Sequence, residues 1–154
     1  MCRKEIRAEL EKKGSIKFGK TKKICYDESE VRTLDEEQVR KITEQLLQVI
    51  QKSAQRFERT KKEGLEYDFF AEIKPSVDKI LPILDEWEIV AKKWINKYHP
   101  RYLHSQQIDT AKEHIENIVI QSFFQDTSKV RFKNIKESAE YTLRSMIREM
   151  EKNE

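Results

Sequence analysis

TLDEEQVRKITEQLLQVIQKSAQRF, residues 33–57, is the stretch on which the fold turns. Val39, Ile42, Leu46, Leu47, Ile50, Ala54 and Phe57 recur at spacings of three and four, with polar residues between them. At 3.6 residues per turn this spacing lays one apolar stripe along a helix. Thr33 and Glu36 make a capping-box pattern that sets the expected helix start. Lys61 and Lys62 suit the C-terminal dipole, and Gly64 suits a left-handed C′ position, so the helix should stop there. A stripe this long needs other elements to cover it.

The same period returns three times downstream. Asp68 should cap a second helix whose apolar positions run from Phe69 and Phe70 through Ile73, Val77, Leu84 and Trp87 to Trp94 and Tyr98. Pro75 and Pro82 fall inside it, so a kink or break is expected near Lys74. Pro100 biases His99 out of the helical region. Ser105 is the expected cap of a third helix, carried by Ile108, Ala111, Ile115, Ile118 and Phe123. Thr127 or Ser128 should cap a fourth, carried by Phe132, Ala139, Leu143, Met146 and Met150. No strand-like run falls among these four segments. The expected fold is all-α: an antiparallel up-down-up-down four-helix bundle over residues 34–154, with a kinked second helix. The 62–67 and 125–128 loops then share one end, and the His99–His104 loop occupies the other.

Composition agrees. The 154 residues suit one domain, and three Gly with three Pro favour long helices and short connections. Charged residues make up 38% and mean hydropathy is −0.84, yet 37% hydrophobic suffices for one core. Residues 1–33 hold ten Lys/Arg against six Asp/Glu, while the remainder holds 21 against 22, so the basicity belongs to the first segment. That basic segment is expected to be mobile or loosely docked. Cys2 and Cys25 also lie there, and two cysteines without a secretory leader suggest a reducing, cytoplasmic setting. No apolar run reaches the ~18–20 residues of a membrane helix.

GSIKFGKT, residues 14–21, matches the phosphate-loop pattern G-x-x-x-x-G-K-[ST]. A phosphate loop works because a buried strand delivers the glycines and a helix starts directly after them. Here charged AELEKK precedes Gly14 and KKICYDESE follows Thr21, with neither strand nor helix period. The match is read as accidental.

Other candidate sites are sparse. His99, His104 and His114 lack the Glu-x-x-His pairs of bundle metal centres, and no Cys-x-x-Cys occurs, so no metal or other cofactor is expected. Trp87, Trp94 and Tyr98 share one face and read as core. Thr127, Ser128, Lys129 and Arg131 at a helix start could hold an anion, because basic residues there oppose the dipole. KFGKTKK could touch nucleic acid, although nothing in the bundle repeats that signal. No catalytic set is readable, so the chain is not expected to be an enzyme.

The stretch from about residue 67 to 150 resembles the YppE-like family of small uncharacterised proteins from Bacillus, Listeria and relatives. DFFAEIKP (68–75), EWEIVAKKWI (86–95), HPRYLHSQQID (99–109), HIENIVIQSFF (114–124) and TSKVRFKNIKESAEYTL (127–143) carry the resemblance. His99 departs from it, since that position is usually positively charged. The resemblance implies a four-helix bundle in a Gram-positive cytoplasm, with no established activity, and it implies that residues 1–33 are an extension, mobile or the product of an upstream start codon. A non-catalytic interaction module, monomer or homodimer, is the leading expectation, with a protein as the partner. Arg101, Tyr102, His104 and Gln107 are its candidate contact residues, because Tyr and Arg are favoured interface anchors. An anion or small-ligand binder using the bundle interior or residues 127–133 is the alternative.

Overall fold

The computed structural model describes residues 28–152, so the phosphate-loop match, both cysteines and the KFGKTKK run lie outside the described residues. Among the described residues four α-helices form: α1 (Glu28–Glu63), α2 (Lys74–Tyr98), α3 (Ser105–Gln121) and α4 (Lys129–Lys152). One π-helical turn, Phe69–Ile73, leads into α2. No strand occurs among the described residues, and the fold is all-α.

The helix ends follow local chemistry. α1 runs from Glu28, five residues before Thr33, so the helix is already formed where the Thr33–Glu36 pattern places its start. At the other end Gly64 is left-handed (φ 60°), and the Leu65 N–H reaches back to the Thr60 carbonyl at 3.2 Å. That six-to-one bond is the Schellman pattern expected of a glycine C′ residue.

Asp68 caps the next segment as expected. Its Oδ2 accepts from the Ala71 N–H at 2.8 Å, and Glu72 Oε2 accepts from the Asp68 N–H at 2.9 Å. Near Lys74, where a kink or break is expected, the chain winds as a π turn that runs directly into α2, with Ile73 and Lys74 donating five residues back, to Asp68 and Phe69. Pro75 has no N–H and crowds the carbonyl four residues before it, which the wider turn accommodates. Phe70, placed on the apolar stripe by spacing, is instead 57% exposed, because the extra residue in the turn shifts the helical register. α2 continues through Pro82.

Two further caps settle the remaining helices. His104, not Ser105, is the N-cap of α3: its backbone is extended, and Gln107 Oε1 accepts from its N–H at 2.7 Å. Ser128 starts α4, its Oγ accepting from the Arg131 N–H at 3.4 Å and its carbonyl from the Phe132 N–H at 3.0 Å.

Packing pairs α1 with α4 in opposite numerical order: Arg40 meets Glu151, Thr43 meets Met146, and Phe57 stacks on Phe132 at 4.0 Å. α2 and α3 pair likewise, Asp85 with Lys112 and Lys92 with Asp109. Gln125 Nε2 donates to the Gly64 carbonyl at 3.4 Å, so the 62–67 and 125–128 loops do meet at one end. The main core gathers Leu46, Ile50, Leu84, Trp87, Ile115 and Leu143, all fully buried. A second cluster of Ile73, Val77, Val119, Ile120 and Phe123 seats the π turn on the end of α3.

One polar link lies inside the main core. Trp87 Nε1 donates to Thr43 Oγ1 at 3.0 Å, and Thr43 donates to the Val39 carbonyl at 2.6 Å. Both side chains are fully buried. A buried donor without an acceptor costs ~1–3 kcal/mol, whereas removing both partners is far milder. Thr43→Val should therefore destabilise the chain by about that amount, and Thr43→Val with Trp87→Phe by less than the two single changes together. Urea unfolding of the four chains checks this; strict additivity would contradict it.

Candidate functional site

The His99–His104 loop is built by the way α2 stops. His99 adopts the left-handed conformation (φ 47°, ψ 55°) while its N–H still bonds the Ile95 carbonyl at 2.8 Å. Pro100 then directs the chain away. Leu103 is buried in the main core and tethers the loop from below. Either side of that tether the chain turns outward. Arg101 and His104 are exposed, and Tyr102 is 66% exposed. The Arg101 guanidinium carbon lies 5.5 Å from the Tyr102 ring centre, a cation–π pairing at the surface. Just inside, Lys97 Nζ lies 5.1 Å from the Tyr98 ring, which itself leans on Trp94 at 5.6 Å. The Gln107 side chain holds the His104 backbone, so two of the four predicted residues project outward and the other two fasten the helix start.

The second predicted group, Thr127, Ser128, Lys129 and Arg131, sits at the opposite end of the bundle. Thr127 Oγ1 donates to the Gln121 carbonyl at 3.3 Å, and Ser128 caps α4, so both hydroxyls serve the loop and helix start. Lys129 and Arg131 are exposed. Phe132, buried on Phe57, fixes where that turn lies. The structure thus keeps the two predicted groups apart. Trp87 and Trp94 are buried in the core, and among the described residues no group of His, Cys, Asp and Glu is placed to hold a metal ion.

Two constellations escaped the sequence reading. The first is an ion ladder across α2 and α3. Lys112 reaches Asp85 at 2.7 Å and Glu88 at 2.5 Å, and Lys92 reaches Glu88 at 3.0 Å and Asp109 at 2.5 Å. Hydrogen bonding from Lys112, reinforced by Lys92 against the cost of burial, pulls Glu88 from 4.5 to about 2. Burial opposes the charge on Lys112, but Asp85 and Glu88 outweigh it and raise its pKa. Hydrogen bonds donated to Asp109 and Glu88 raise Lys92 as well. The Glu88–Lys92 spacing is a visible i,i+4 signal; the α3 half becomes visible only once the helices are in register. The second is Arg56, half-buried against Ser122 and Phe123, which nothing in its local sequence distinguishes.

With this geometry in view, the comparisons are consistent. Residues 43–150 match a bacterial domain of unknown function, DUF1798. The uncharacterised protein YppE of Bacillus subtilis is 36% identical over 105 residues, which is 68% of this chain and 85% of YppE. The YppE crystal structure superposes with a TM-score of 0.73, covering 76% of this chain and 95% of that one at 33% identity. A Listeria innocua protein of unknown function gives 0.75 at 23% identity, covering 78% and 96%. This chain belongs to the DUF1798 family, as the YppE-like resemblance implied.

The ladder gives a pH signature. Because the Glu88 pKa is depressed on folding, its stabilisation is complete above the ordinary 4.5 and disappears as pH falls toward 2. Between about pH 6 and about pH 3 the parent chain should lose more unfolding free energy than Glu88→Gln, by on the order of 1 kcal/mol after solvent screening. Equal losses in chemical denaturation would contradict the ladder.

Proposed function

We propose that this chain is a non-catalytic cytoplasmic helical protein that docks a protein partner on the His99–His104 loop. What supports the reading is Tyr102, a large aromatic ring held 66% exposed beside Arg101 on a loop that is itself fastened down. Leu103 beneath and the Gln107–His104 bond at one side limit its motion, so little ordering entropy is lost on contact. Tyr and Arg carry much of the binding energy at many interfaces, since each combines apolar area with directional donors.

The alternative, an anion or small ligand in the bundle interior or at residues 127–133, has less behind it. The interior tryptophans are packed, with the Trp87 N–H already engaged by Thr43. The Thr127 and Ser128 hydroxyls are occupied at the start of α4.

A photo-crosslinking residue at Tyr102 tests the proposal in cells of a Gram-positive host. One discrete crosslinked protein, or a crosslinked second copy of this chain, should form and should fall at least about tenfold with Arg101→Ala. Crosslinking unchanged by Arg101→Ala, or spread over many proteins, would overturn it.

A further inference from the structure

Arg56 and Lys61 are half-buried cations with no carboxylate within ion-pair distance among the described residues; Lys61 lies over the Phe57 ring at 5.5 Å, whereas Arg56 is also held by a side-chain hydrogen bond. Lys74, Lys92 and Lys112 each face a carboxylate within ion-pair distance. Arg56 faces none among the described residues, and its guanidinium makes one hydrogen bond, from Nη1 to Ser122 Oγ at 3.1 Å. Half-buried cations are ordinarily paired, because desolvating one without a counter-charge is unfavourable.

The setting of this side chain is firm. Its guanidinium carbon lies 4.1 Å from the centre of the Phe123 ring, and both Phe123 and Ser122 are buried. Ser122 Oγ donates onward to the Val119 carbonyl at 2.6 Å, which fixes its lone pairs toward Arg56. One turn along α1, Thr60 Oγ1 lies 3.0 Å from the Ser122 carbonyl and 3.2 Å from the Tyr67 hydroxyl, so α1, α3 and the loop before the π turn are tied together here. Burial pulls the Arg56 pKa below its usual value, and only Tyr67 acts in the other direction.

A guanidinium carries five N–H donors in a planar fork. One donor is used here, and no other guanidinium nitrogen is a fully buried atom without a partner. An aromatic floor beneath the plane and one spent inner donor leave a two-donor edge held in position. Two parallel N–H groups match the two oxygens of a carboxylate, and one positive charge balances one negative charge. The neighbouring Thr60 and Tyr67 offer hydroxyls rather than the second cation that a phosphate dianion would call for.

We propose that Arg56, backed by Phe123 and Ser122, is a binding site for a single carboxylate group. It lies at the end of the bundle opposite the His99–His104 loop and is independent of the docking role of that loop. The carboxylate belongs either to a small organic acid or to an acidic side chain of a protein.

NMR on the full chain tests this through the Arg56 Nε–H signal. Sodium acetate, an N-acetylated glutamate-containing peptide, inorganic phosphate and sodium chloride are titrated separately at matched ionic strength. Acetate should shift the signal saturably with a millimolar dissociation constant, while chloride should not. Saturation by acetate identifies a free organic acid as sufficient; saturation by the peptide alone also supports the site and points to a protein acid. Saturation by phosphate without either carboxylate, or no saturable response at all, would overturn the proposal. Arg56→Lys should weaken the acetate response at the Ser122 and Phe123 amides by roughly tenfold, and an undiminished response would overturn it as well. The parent-chain titration decides by itself if that variant does not fold, since the signal can be assigned by through-bond correlation to the Arg56 backbone.

Discussion

An indole N–H enclosed in a hydrophobic core has to find an acceptor, and in this bundle the acceptor is the Thr43 hydroxyl. The requirement is demanding because water cannot substitute at a fully buried position. It sets α2 against α1 at one height, since a shifted register would separate the Trp87 donor from its acceptor. Met146 Sδ lies 3.7 Å from the same oxygen, so α4 meets the link too. The apolar residues above and below supply most of the driving force for collapse, but they would tolerate several registers. The polar link distinguishes among them.

From that midpoint the two ends of the molecule diverge in character. Toward Gly64 the helices are stitched by polar bonds between Thr60, Tyr67 and Ser122, and by Gln125 across to the Gly64 carbonyl. Toward His99 the closure is a short loop held by one buried leucine and one side-chain cap, and its exposed face carries a cation and an aromatic ring. Between them the Asp85–Lys112–Glu88–Lys92–Asp109 ladder runs along the seam of α2 and α3. A ladder of this kind adds less stability than its number of bonds suggests, because each exposed member exchanges hydration for pairing. Its larger effect is to disfavour a shifted α2–α3 register, which would set like charges together.

Much of the architecture was legible before any coordinates. The three- and four-residue spacing of Val39, Ile42, Leu46 and Ile50 is a local property, and so is the Gly64 stop; both are found as expected. Thr43 itself stands on the apolar stripe, four after Val39 and three before Leu46, so a polar residue facing the core could be read there. Thr33 and Glu36 satisfy a capping pattern that a continuous helix satisfies equally well, so the pattern does not mark a helix start within Glu28–Glu63. Phe70 was misplaced because periodicity assumes 3.6 residues per turn, and the π turn at Phe69–Ile73 breaks that assumption. Arg56 and the ladder were hidden for a different reason. Their meaning depends on which helices adjoin, and spacing within one helix is silent on that. The Arg101–Tyr102 surface sits between these cases: the residue types were visible, while their pairing and exposure needed the loop.

The most direct measurement of the central link is hydrogen exchange at the Trp87 indole in the native state. If the Thr43 bond lies at the heart of the cooperative core, that proton should exchange only through global unfolding, with a protection free energy equal to the unfolding free energy from denaturant titration. Exchange through local opening, several kcal/mol below the global value, would contradict the account and make the link a detail of packing.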